Sequence, residues 1–165
     1  MPRGCFGFTG QPSAGGPVFS AGKFQDFRKG ANDFSFLGVH HIGIVVRNLE
    51  QALLFYRDVL GLPFEGIEHH SGANVDIAFL RSGETLIELL EPKGEGSFRD
   101  FLEIKGEGLH YIALRVEDIA GTLEILKANN APLLDQSPRD GGRGSKIAFL
   151  DTVSTSDVSI ELVQP

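Results

Sequence analysis

Apolar and polar positions change rhythm along this chain, and the changes fall at Asn and Gly. Residues 39–46 (VHHIGIVV) are rich in β-branched side chains and read as a strand. After Asn48, the apolar residues Leu49, Ala52, Leu53, Phe55, Tyr56, Val59 and Leu60 recur at helical spacing. Asn48 suits an N-cap, Gln51 completes a capping-box pattern, and Gly61 suits the residue just past the helix. Two strand-like runs follow, VDIAFL (75–80) and TLIELLE (85–91), joined by a turn that contains Gly83. Between Gly61 and Val75, FEGIEHH suggests a further short strand. The first half therefore predicts strand, helix, then two or three strands.

The second half repeats the first. VHHIGIVVRNLEQALLFY (39–56) aligns with LHYIALRVEDIAGTLEIL (109–126) at an offset of 70 residues. The same offset sets IAFL at 77–80 on IAFL at 147–150, and a slip of three sets IELLEP (87–92) on IELVQP (160–165). Ordered matches at almost one offset predict two βαβββ modules, about 37–92 and 108–165, with a linker at 93–107. The fold class expected is α+β, with the two modules in one chain related by a pseudo-twofold and closing a metal- or ligand-binding cleft.

Residues 1–36 break the pattern. They hold seven glycines and three prolines but no Leu or Ile, so they are expected to form a flexible N-terminal extension to a domain at 37–165. The 165 residues (17.9 kDa) suit one domain, 41% hydrophobic and 22% charged. A net charge of −7 argues against a general nucleic-acid or membrane-surface binder, since both need a basic face. No apolar run approaches the ~20 residues of a membrane helix. The single cysteine, Cys5, rules out an intrachain disulfide and fits a reducing compartment, here expected to be the cytoplasm.

The repeat also aligns polar residues. His41 opens the first strand of module one, and Tyr111 takes its place in module two. Glu88 and Glu161 each sit inside an apolar last strand, LIELL and SIELV. A carboxylate on the inner face of such a strand is costly unless it is paired or binds a cation, whereas strand alternation could instead turn it to solvent. Converging, His41, Glu88 and Glu161 would suit a divalent metal: Co, Mn, Ni or Zn.

HIGIVVRNLEQALLFYRDVLGLPFEGIE, VDIAFLRSGETLIELLEP, FLEIKGEGLHYIALRVEDI and GSKIAFLDTVSTSDVSIELVQ carry a family resemblance. From about Leu37 to Gln164 the chain resembles the vicinal oxygen chelate (glyoxalase/bleomycin-resistance/dioxygenase) superfamily, and within it the methylmalonyl-CoA epimerase family. That resemblance implies a divalent metal at the base of the cleft, a small-molecule substrate such as an acyl-CoA, and a homodimer. It implies epimerisation by proton transfer through a metal-stabilised enolate. His41, Glu88 and Glu161 match the family's metal ligands. Asp76 falls where a catalytic glutamate is usual, so Asp76 and Glu161 are the candidate acid/base pair. Tyr111 falls where a second histidine ligand is expected, and is a candidate substrate contact with Arg143 and Lys146. Two alternatives stay open: a metal-free small-molecule-binding protein of the same fold, which the tyrosine favours, and a glyoxalase-type lyase, whose site Glu88 also suits.

Overall fold

The computed structural model describes residues 35–165, so the expected extension at 1–36 lies outside the described residues except for Ser35 and Phe36. Module one holds β1 (Val39–Val45), α1 (Leu49–Leu53), β2 (Phe64–His70), β3 (Val75–Ser82) and β4 (Thr85–Pro92). After α2 (Ser97–Ile104), module two holds β5 (Gly108–Arg115), α3 (Ile119–Ala128), β6 (Arg139–Asp140), β7 (Lys146–Phe149) and β8 (Ser159–Gln164). Both modules are βαβββ, as the repeat predicts.

One curled eight-stranded sheet runs β2-β3-β4-β1-β5-β8-β7-β6. Its order is a palindrome in the repeat: β4-β1 of module one meets β5-β8 of module two. The modules join through antiparallel β1–β5, and each closes on itself through a parallel pair, β1–β4 and β5–β8.

The period-2 alternation of each strand sorts the core into two layers. Val46, Leu49, Leu53, Ala78, Leu80 and Leu89 are buried under α1, and Val116, Ile119, Leu123, Leu126, Ala148 and Leu162 under α3. The opposite, inner face buries Val45, Val75, Ile77, Phe79, Leu86 and Leu90 against Tyr111, Ala113, Ile147, Phe149 and Val163. The cleft opens on this inner face.

Two elements differ from expectation. The helix after Asn48 stays α-helical only through Leu53; Leu54–Val59 widen into a π-helical turn, and Leu54, Phe55 and Val59 are exposed. Asn48 does cap it, its side chain accepting the Gln51 N–H, and Gly61 (φ +70°) leaves it. The stretch expected as a linker contains α2. Its Phe98, Phe101 and Leu102, at i, i+3 and i+4, pack on the inner-face cluster, a helical spacing legible in SFRDFLEI.

Candidate functional site

The inner face of the four central strands carries two crossing contacts. In register, Tyr111 on β5 lies beside Gly43 on β1, and Gly43 beside Glu88 on β4. The Tyr111 ring reaches across Gly43, and its hydroxyl donates to Glu88 Oε2 at 3.0 Å. A Cβ on residue 43 would stand only 2.3–2.7 Å from three atoms of that ring, so a glycine is required there. The second contact mirrors the first. His41 on β1 lies beside Ala113 on β5, and Ala113 beside Glu161 on β8. The imidazole reaches across this small residue, placing Nε2 3.2 Å from Glu161 Oε1 and 3.6 Å from Glu88 Oε2. The two rings meet edge to face, centroids 5.4 Å apart.

Sheet irregularities aim these rings. The β1–β5 pairing shifts register between Val39 and His41 and between Gly43 and Ile44, leaving His40 and His110 without partners in the ladder. They are repeat counterparts, and both line the cleft. His40 and His41 meet through their Nδ1 atoms at 2.9 Å. Burial, then the neighbouring His41, Arg115 and Arg81, lowers His40 to about 4, so it stays neutral, and the contact leaves His41 Nε2 facing the carboxylates. His110 sits between Phe98 and Phe101, its ring inclined to both with centroids 4.8 Å from each, and burial lowers it to about 4 as well.

Burial and charge oppose one another at the floor. His41, Glu88, Glu161 and Tyr111 are all nearly inaccessible, from 3% to 7% exposed. Burial pulls the His41 imidazole down, but the approach of Glu161 and the charges of Glu88 and Glu161 outweigh it and raise it above its ordinary 6.5. Burial holds Glu88 above the usual carboxylate range, against His41. Burial and both carboxylates push the Tyr111 phenol well above its ordinary 10, so it stays a hydrogen-bond donor. Glu161 Oε1 is buried and has no hydrogen-bond partner; its contact with His41 is ionic proximity without hydrogen-bond geometry. An orphaned buried carboxylate oxygen is a destabilising feature that a ligand would relieve.

The donors suit a divalent ion in kind, one imidazole nitrogen and two carboxylates. Two donors each about 2.0–2.2 Å from an ion stand roughly 3.0–3.6 Å apart, which matches both His41 separations. Glu88 Oε2 is turned to Tyr111, and among the described residues no three His, Cys, Asp or Glu side chains stand pre-arranged around an ion.

Above this floor lies a cleft of about 350 Å³, walled by Phe79, Phe98, Ile147 and Phe149 and rimmed by Arg81, Arg139 and Arg143. Of the residues expected in the site, His41, Glu88, Glu161 and Tyr111 come together and Arg143 stands at the mouth. Two do not join them. Asp76 has the wrong parity on β3: Val75, Ile77 and Phe79 face the cleft, and Asp76 faces the helix-bearing side. There it contacts His69 Nδ1 at 2.7 Å and Lys93 at 3.2 Å, and chiefly the His69 contact lowers it. Lys146 likewise alternates out of the cleft ahead of Ile147 and pairs with Asp140 on the surface. His40, His110, Arg81 and Arg139 were not among the expected site residues. The HH and HY pairs at one offset were a signal for the first two; no local pattern marks the arginines.

The two βαβββ modules and their curled sheet define the fold of a superfamily. The profile of the glyoxalase/bleomycin resistance protein/dioxygenase superfamily matches residues 40–149, and the chain belongs to it. Within it, the chain is 39% identical to the uncharacterized protein YqjC of Bacillus subtilis over 126 residues, 76% of this chain and 90% of that one. It is 34% identical to the ethylmalonyl-CoA/methylmalonyl-CoA epimerase of Cereibacter sphaeroides over 129 residues, 76% and 96% of the two chains. The crystal structure of methylmalonyl-CoA epimerase from Mycobacterium tuberculosis superposes with a TM-score of 0.75 at 29% identity, covering 79% of this chain and 89% of that one.

Proposed function

We propose that this chain is a metal-dependent epimerase of methylmalonyl-CoA or a similar acyl-CoA. The observation that carries the reading is the buried floor: an imidazole between two carboxylates, one oxygen unpaired, beneath an apolar cleft. His41, Glu88 and Glu161 would hold the ion, Co, Mn, Ni or Zn. When bound, such an ion stabilises negative charge on a thioester oxygen as the α-proton leaves.

The chain's own residues do the rest. Phe79, Phe149 and Ile147 exclude water around the acyl group, which strengthens every charge interaction at the floor. The Glu161 carboxylate, with an oxygen free of any hydrogen bond in the protein, takes the proton α to the carbonyl through the oxygen it does not give to the ion, and the electron pair moves onto the carbonyl oxygen. The resulting carbon is planar. Return of a proton to its other face falls to the hydrogen-bonded Tyr111–Glu88 pair, which the pseudo-twofold sets against Glu161. Asp76, turned away, takes no part. The same reading takes residues 37–165 as the catalytic domain behind the extension 1–36, working as a cytoplasmic homodimer. Sedimentation at about twice the 17.9 kDa chain mass is the check on the dimer.

Proton NMR of methylmalonyl-CoA in deuterated buffer tests the reaction. With Co²⁺-loaded protein the α-proton signal washes out, and Glu161→Gln abolishes the washout. Persistence of the signal with loaded parent protein contradicts the proposal. One observation favours a second reading. The Tyr111–Glu88 bond and the His41 contacts partly satisfy the floor without an ion, as a metal-free binder of the same fold would require.

A further inference from the structure

We infer that Arg143 selects the substrate class at this cleft, by pairing with a carboxylate on the acyl group. The inference rests on the acyl-CoA reading above and deepens it.

Arg143 is the one side chain in the loop Gly141–Gly144, and it sits at φ 55°, ψ 29°, a left-handed conformation that favours glycine or asparagine. The loop leaves module two and rests on module one. A Cβ on Gly142 would touch Phe79 and Ile77, both inner-face residues of β3. From there the Arg143 guanidinium lies over the Phe79 ring at 3.8 Å. Its Nη1 reaches Glu65 Oε2 at 2.7 Å, and its backbone N–H donates to Glu68 Oε1. Arg143 thus clasps the mouth of the cleft from one module to the other.

The clasp is built to exchange. Glu65 also accepts two bonds from Arg81, at 2.8 and 3.2 Å, whereas Arg143 holds it by one. One carboxylate is thus shared by two guanidiniums. If Arg143 turns inward, Glu65 keeps its fork with Arg81 and no charge is stranded. Arg143 is 37% exposed, so the turn needs no repacking.

Position selects the partner. Phe79 is the register neighbour of Glu88, so the guanidinium over its ring lies on the strand beside the floor carboxylate. That place suits a carboxylate on a short acyl group. The phosphates of CoA lie beyond the pantetheine arm, outside this span. Arg139, over Phe149 at 5.3 Å, occupies the matching place across the pseudo-twofold and pairs with Asp135, which lies just before β6. Arg143 differs in that its carboxylate partner, Glu65, keeps a second guanidinium when Arg143 leaves.

Calorimetric titration of malonyl-CoA and acetyl-CoA, which differ by one carboxylate, tests this on the whole chain. The parent is expected to bind malonyl-CoA roughly 10- to 100-fold more tightly. Arg143→Met should abolish that preference while holding acetyl-CoA as the parent does, with an unchanged thermal midpoint. Glu65→Gln, which releases Arg143, should tighten malonyl-CoA alone. Equal binding of the two thioesters by the parent, or a preference that survives in Arg143→Met, overturns the role of Arg143 and leaves the acyl-CoA reading standing. Binding of neither thioester overturns both.

Discussion

Module one sends an imidazole over Ala113 to Glu161; module two sends a phenol over Gly43 to Glu88. The backbone performs the same act twice, down to the paired irregularities that free His40 and His110. The chemistry differs because one ring can coordinate an ion or carry a charge near neutral pH and the other cannot. Residue 43 must be glycine because a phenol is longer than an imidazole; alanine suffices at 113 beneath the shorter ring. Symmetry supplies the cradle, and one ring substitution makes its two halves unequal. The outer layers repeat this theme. Leu89 and Leu162 are fully buried counterparts under α1 and α3. The strand β2 has seven residues where β6 has two, which gives the module-one wall room for Glu65.

Breaking this comparison at its reactive end has the largest expected effect. Glu161→Gln removes the unpaired oxygen, and α-proton exchange should fall on the order of 10²- to 10⁴-fold. Glu88→Gln keeps the acceptor for Tyr111 and should cost less; equal losses would mean the two carboxylates are interchangeable. Next, Leu89→Ala and Leu162→Ala each open a cavity in a closed layer, and each should lower unfolding free energy by about 2–5 kcal/mol in urea. A loss confined to one variant would show that the modules do not unfold as one unit. Tyr111→His restores symmetry to the rings. It adds a fourth donor, and Co²⁺ affinity should rise roughly 10- to 100-fold by competition with a chelator.

A smaller effect depends on pH, at a histidine whose counterpart His40 is lowered to the same value. His110 titrates about 4 in the folded chain against an ordinary 6.5. The unfolded chain therefore takes up that proton first as pH falls. The stability His110 contributes is full above 6.5 and drains away between 6.5 and about 4. His110→Phe should flatten that part of the midpoint-versus-pH curve, and an unchanged slope would contradict the assignment. Smallest of all, Asp76→Asn should leave exchange untouched and shift stability by less than about 1 kcal/mol, since its partners are solvent-facing.

Much of this was legible in the chain itself. The repeat offset fixed two βαβββ modules, and the pairing of two acidic residues inside apolar strands marked the floor. Asp76 shows the limit. A one-residue error in a strand moves a side chain to the other face, and the sequence around VDIAFL is apolar on both faces because helices cover one and the cleft lies on the other. The irregularities at His40 and His110 follow from how β1 meets β5, a pairing between segments some 70 residues apart, which no local pattern encodes. Arg143 was named from the sequence, but its setting needed the fold, because its partners Glu65 and Phe79 stand 78 and 64 residues away. The helix α2 was within reach, since its apolar spacing is plain, but it falls between the two copies of the repeat and so was expected as a linker.

Elemental analysis of the purified chain, before and after Co²⁺ loading and desalting, bears most directly on the floor as an ion site. About one ion per chain is expected in the parent and a loss of it in His41→Ala. A parent that retains no ion, or a His41→Ala chain that retains as much as the parent, would contradict it.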